Sequence, residues 1–181
     1  MLDYEIDFWN NFTDLYFKTK EMYIKAEEYD DDFCSIMQPI KEQRDALDHI
    51  IRSYTELIKS NNGQTANQDY IQKNFDKALG HIYRAFYDTA DILTIVLREH
   101  ISKNLQGYSY KEIISVWDKY SEVRPQLIDV TKRIVALRLK KEIKSSSKEQ
   151  QKIFDEYKSI IDFLFKTLDT ILIDVYPKLN K

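Results

Sequence analysis

The chain has 181 residues, 43% of them hydrophobic and 31% charged, with a formal net charge of −3. That length can bury a core without cross-links, that composition excludes a disordered chain, and the near-neutral charge singles out no partner. The single cysteine, Cys34, excludes an intrachain disulfide and a thiolate zinc site, and no apolar run approaches the roughly 20 residues of a membrane span.

Only three glycines and three prolines punctuate the chain, so the expected elements are few and long. A first helix over about 3–30 places Phe8, Phe12, Leu15, Thr19, Met22 and Ala26 on one stripe. The acidic triplet Asp30-Asp31-Asp32 interrupts it and suits the positive start of a second helix, which begins there or at Pro39. Ile40, Leu47, Ile51, Tyr54 and Ile58 form the apolar stripe expected to be buried on that helix. The segment Asn61 to Asn67 reads as a loop.

A third helix, about 68–104, carries Ile71, Phe75, Ala78, Ile82, Phe86, Leu93 and Leu97, and Gly107 closes it. Ser109 with Glu112 forms a capping box that opens a fourth helix, which Pro125 should kink or split. After Ser145-Ser146-Ser147, a fifth helix capped by Ser146 and Glu149 runs through Phe154, Tyr157, Ile161, Leu164, Leu168, Ile171 and Val175 to an end at Pro177. Short connections between long helices favour antiparallel neighbours. The expected fold is one all-α domain over residues 1–181, an elongated up-and-down bundle of about five long antiparallel helices.

Charge is unevenly placed. The first third is acidic, and a basic excess lies in Lys132, Arg133, Arg138, Lys140, Lys141, Lys144 and Lys148. A run of this kind usually forms a solvated face, although it can also bind phosphates. The lone thiol and the acidic N-terminal residues, without the basic and apolar stretches of a signal peptide, give a cytoplasmic expectation with no membrane association.

No glycine-rich phosphate loop, paired-cysteine motif, His-Glu-x-x-His or Glu-x-x-His is present, so neither a metal nor another cofactor is expected. The stretch Arg44-Asp45-Ala46-Leu47-Asp48-His49 carries the one chemical pattern: an arginine, a polar residue, three more residues and a histidine. This resembles the hallmark of HEPN domains, all-α bundles that include metal-independent endoribonucleases of toxin–antitoxin, CRISPR and phage-defence systems. The resemblance implies RNA as substrate, with Arg44 contacting the scissile phosphate, Asp45 in the polar position and His49 as general acid or base. Histidine suits that role because it titrates near neutrality, and arginine because its planar fork grips phosphate.

At about 100° per residue, Arg44 falls on the stripe of Ile40, Leu47 and Ile51 while His49 points nearly the opposite way, so the two converge only across a homodimer. Arg98, His100 and Lys103 complement the negative end of a helix dipole, the reading their position favours; in a nucleic-acid cleft they would add contacts together with Tyr108 and Tyr110 beyond them. A second reading stays open. In it Arg44 pairs with Asp48, His49 faces solvent, and the protein is a non-catalytic adaptor that binds a protein partner through an apolar helix face.

Overall fold

Helical spacing of apolar residues is realised as helix throughout. The computed structural model describes residues 3–30, 37–61, 65–141 and 147–180, and among them there is no strand. The helices are α1 (Asp3–Tyr29), α2 (Met37–Asn61), α3 (Gln68–Leu105), α4 (Tyr110–Val116), α5 (Tyr120–Lys141), α6 (Ser147–Thr170) and the short α7 (Tyr176–Leu179), with a π-helical turn over Ile171–Val175 between the last two. The protein is an all-α helical bundle. Its contacts cluster into two compact units, Met1–Ile92 and Leu93–Lys181, with the boundary inside α3.

In the first unit, α1 buries Phe8, Leu15, Thr19 and Ala26, the stripe read from the sequence. Phe8 packs on Phe75 of α3 at 4.4 Å between ring centroids, and Tyr54 of α2 meets the same ring edge-on at 5.8 Å. Helix directions follow from the cross-links. His49 bonds Asn74, and further along α2 Ser53 bonds Ile71, so α2 and α3 run antiparallel. Tyr4 reaches Gln68 while Phe8 reaches Phe75, so α1 and α3 run parallel. Asn67 caps α3, its Oδ1 accepting from the Tyr70 N–H at 3.0 Å, which ends the expected loop where a short polar side chain can serve the first turn.

α2 corrects the sequence reading. Its stripe of Ile40, Leu47, Ile51 and Ile58 faces outwards, each side chain between 42% and 56% exposed. The packed strip is Pro39, Ala46, Ile50 and Ser53, flanked by half-buried Glu42, His49, Tyr54 and Leu57. Small residues take much of the inward position on α2. Ala46 and Ala78 are both fully buried in the core cluster with Phe8, Ile50, Ile71 and Phe75.

The second unit contains the other corrections. The expected fourth helix is two helices, and the break lies at Trp117–Lys119, about two turns upstream of Pro125. Trp117 leaves helical geometry (φ −141°, ψ 83°) and buries its ring against Tyr120 at 5.4 Å. Asp118 Oδ1 then accepts from the Lys119 N–H at 2.8 Å to start α5, inside which Pro125 sits. The Ser109–Glu112 capping box forms as expected but opens only the seven-residue α4. Gly107 takes the left-handed φ of 91° that ends α3.

Arg133 of α5 pairs with Glu156 of α6 at 2.7 Å, and earlier α5 residues (Val123, Gln126) share a cleft with later α6 residues (Phe163, Thr167), so these two helices are antiparallel. α6 buries Phe154, Tyr157, Ile160, Ile161, Leu164 and Leu168. Helix does not stop at Pro177. The Tyr176 N–H bonds the Ile171 carbonyl five residues back, and this widened turn admits the proline into α7. The Ser146 cap expected for α6 lies outside the described residues.

Candidate functional site

The antiparallel pairing of α2 and α3 lines up two histidines. His49 and His81 stack with ring centroids 5.3 Å apart and planes 21° from parallel. Each is held from its Nδ1 side. For His49 the partner is Oδ1 of Asn74 at 2.8 Å. The Asn74 amide nitrogen donates to the Tyr70 carbonyl at 2.8 Å, which fixes the amide so that Oδ1 is the acceptor. His49 Nδ1 therefore carries the hydrogen, and its Nε2 is left with the lone pair when the ring is neutral. Asn74 is buried at 4% exposure, so this tether is shielded from water.

For His81 the neighbours are Glu42 Oε2 at 2.8 Å and Arg84 Nη2 at 2.7 Å. Both contacts cannot be hydrogen bonds at once. A guanidinium only donates, so the Arg84 contact would need an unprotonated Nδ1, whereas the Glu42 contact needs Nδ1–H. Glu42 Oε2 already accepts from Arg84 Nε at 2.8 Å. A shared carboxylate oxygen serves both donors, while an Nδ1 lone pair facing it would be repelled, so the Nδ1–H form holds. Burial pushes the Glu42 carboxyl upwards, but hydrogen bonds and charge from Arg84 and His81 outweigh this and hold it below its ordinary range. Glu42 is thus an anion between two donors. Among the described residues, neither Nε2 makes a hydrogen bond.

Asp45 links this pair to Arg44. Arg44 Nε and Nη2 both donate to Asp45 Oδ1, at 3.0 and 2.7 Å. The hydrogen bond from Arg44 is the largest influence on the Asp45 carboxyl. It outweighs desolvation and holds the group below its ordinary range, with charge from Arg44, His81 and His49 acting in the same direction. Asp48 pairs instead with Arg52 at 2.7 Å, so the expected Arg44–Asp48 pair is not formed. Nor does His49 face solvent alone; it is half-buried against α3. Arg44 lies on the outward face, its side chain 71% exposed, and the structure does not bring it into direct contact with His49.

Sequence reasoning missed His81, Glu42, Asn74 and Arg84. The signal was available in the hairpin. The polar stretch 61–67 of the sequence, between two long helical patterns, points to a hairpin that sets residues near 49 against residues in the seventies and early eighties.

In the second unit, Arg98, His100 and Lys103 lie on the last turns of α3. Arg98 donates from Nε to the Thr94 carbonyl at 3.1 Å and from Nη1 to Thr131 Oγ1 of α5 at 3.0 Å. His100 is two residues further along and half-buried on another side of α3, and Lys103 is exposed. Of the basic run, Lys132 and Lys140 are exposed and Arg133 is tied to Glu156, while residues 142–146 lie outside the described ones.

Among the described residues no three or more His, Cys, Asp or Glu side chains are grouped to hold a metal ion, and no helix is long and apolar enough to cross a membrane. No protein-family model, curated protein or solved structure matches the chain.

Proposed function

We propose that this is a HEPN-like RNA-cleaving protein whose acid–base groups are His49 and His81, with Arg44 and Arg84 as phosphate ligands at the two ends of the cluster. The stacked imidazole pair supports this reading most, since its Nδ1 atoms are tethered by Asn74 and Glu42 and both Nε2 atoms are left for proton transfer. Ribose supplies an internal nucleophile. One Nε2 takes the 2′-hydroxyl proton as that oxygen attacks phosphorus. The other, protonated, gives its proton to the departing 5′-oxygen, leaving a 2′,3′-cyclic phosphate and a 5′-hydroxyl. Such positioned proton transfers contribute roughly 10²–10⁴-fold each. Incubating the purified chain with total RNA in EDTA should give cleavage in the wild type. His49→Ala and His81→Ala should each reduce it at least about a hundredfold, with circular dichroism confirming that both variants remain helical. DNA of the same sequence should stay intact. Uncut RNA with folded wild-type protein would sink the proposal.

The outward face of α2 favours a second, adaptor-type reading. Met37, Ile40, Leu47, Ile51 and Ile58 recur at helical spacing and are 42–56% exposed. An exposed apolar strip of this kind, broken by Arg44, suits a protein-binding surface, and pairing with a second copy about a two-fold axis is its commonest use. Light scattering should then give twice the 21.7 kDa chain mass, reverting to that mass in Leu47→Asp/Ile51→Asp. A monomeric wild type that still binds RNA would leave the face without this role.

A further inference from the structure

We infer that the second unit binds a single-chain aliphatic carboxylate in the groove between the end of α3 and the start of α5. The groove has a volume of about 750 Å³, inside the range of roughly 300–1,000 Å³ typical of small-molecule sites. Its floor is made by Ile101, Leu105, Tyr120, Leu127 and Ile128. These are branched aliphatics with a single aromatic ring, a surface suited to a hydrocarbon chain. From Arg98 to Gln106 the lining runs about 12 Å along α3, and from Tyr120 to Lys132 about 18 Å along α5, at 1.5 Å per residue. Lining that follows two helices over these lengths suits an extended chain better than a compact ring system.

The rim fixes the sign of the ligand. Arg98, Arg124 and Lys132 line the groove, and no acidic side chain does; Glu122 and Asp129, on the same stretch of α5, are outside the lining. Among the described residues neither Arg124 nor Lys132 has a carboxylate partner. Arg98 is held in place by the Thr94 carbonyl and Thr131 Oγ1. Arg124 lies over the Tyr110 ring, 5.9 Å from its centroid, which restrains that side chain as well. Guanidinium groups grip a carboxylate through two parallel N–H donors. A nucleic-acid strand would match the cations but not the floor, which lacks the successive aromatic platforms on which bases stack.

Dodecanoate, titrated calorimetrically into the full chain below its micellar concentration, tests this inference independently of any RNA chemistry. One saturable site per chain is expected. Dodecan-1-ol, with the same body and no charge, should bind at least tenfold more weakly. Arg124→Gln and Lys132→Gln alter exposed side chains and should each weaken dodecanoate about threefold or more without changing the helical spectrum. Arg98→Gln should weaken it about tenfold. Absence of a saturable site, equal binding of the alcohol, or affinity unmoved by all three substitutions would overturn the inference. So would a short RNA that occupies the groove, with loss on Arg124→Gln, where dodecanoate does not.

Discussion

The two units join their helices with opposite materials. In the second, α6 buries Phe154, Tyr157, Ile161, Leu164 and Leu168, bulky side chains that fill the space beside α5. In the first, α2 packs through Ala46, Ile50 and Ser53, carries Glu42 and His49 along the same seam, and turns its isoleucines and Leu47 outwards. Bulky inward faces give a seam filled by apolar side chains, with the Arg133–Glu156 pair as its polar cross-link. Small inward faces leave room for polar side chains to pair across the seam, and there the first unit holds two stacked imidazoles.

Three measurements would break or sharpen that contrast. The largest effect is expected at Leu164, which is fully buried: Leu164→Ala should cost about 2–5 kcal/mol in urea unfolding. The matching change Leu47→Ala, at 55% exposure, should stay within about 0.5 kcal/mol. Equal costs would mean that the outward face of α2 is covered in solution. Next in size, Ala46→Leu should destabilise the protein by about 1–3 kcal/mol, because its methyl group is completely enclosed and a larger side chain must push α2 away from its neighbours. A neutral result would show that the seam has slack.

The smallest effect concerns Glu42. Its folded carboxyl lies below the ordinary value of 4.5, so its stabilising contribution is present above that pH and is lost as pH falls further, through the depressed value. The stability difference between wild type and Glu42→Gln should accordingly shrink as pH falls below about 4.5. A difference that grows below that pH would contradict the sign.

Helix content and most helix limits were legible because apolar residues recur at helical spacing. α1, α3 and α6 turned the expected stripes inwards. On α2 the same rule selected the wrong side. It weighs residues by hydrophobicity, and the strip that packs is made of Ala46, Ser53 and Pro39, which carry little of that signal, with Ile50 among them. The break before α5 was assigned to Pro125 because a proline is visible in a sequence. Trp117 made the break by leaving the helix to bury its ring, a tertiary cause that no local pattern announces. Of the candidate site, Arg44, Asp45 and His49 were named from spacing along one helix. His81, Asn74, Glu42 and Arg84 join them through the register of two helices, information that resides in pairing rather than in any single segment.

The widened turn at Ile171–Val175 also has a meaning in terms of length. A π-turn is a helix that carries one residue more than its axial rise needs, so it behaves as an insertion already accommodated. Leu172 and Ile173 project into solvent at 44% and 72% exposure, while Ile171 and Val175 keep their buried positions on either side. Deleting Ile173 would shorten the turn to a regular ladder at no loss of core. Tyr176 and Pro177 would keep their side of the helix, because the widened turn already absorbs the rotation of the extra residue, but the proline ring would then meet an unbroken ladder. The extra residue is therefore what allows this chain to stay helical through its last proline.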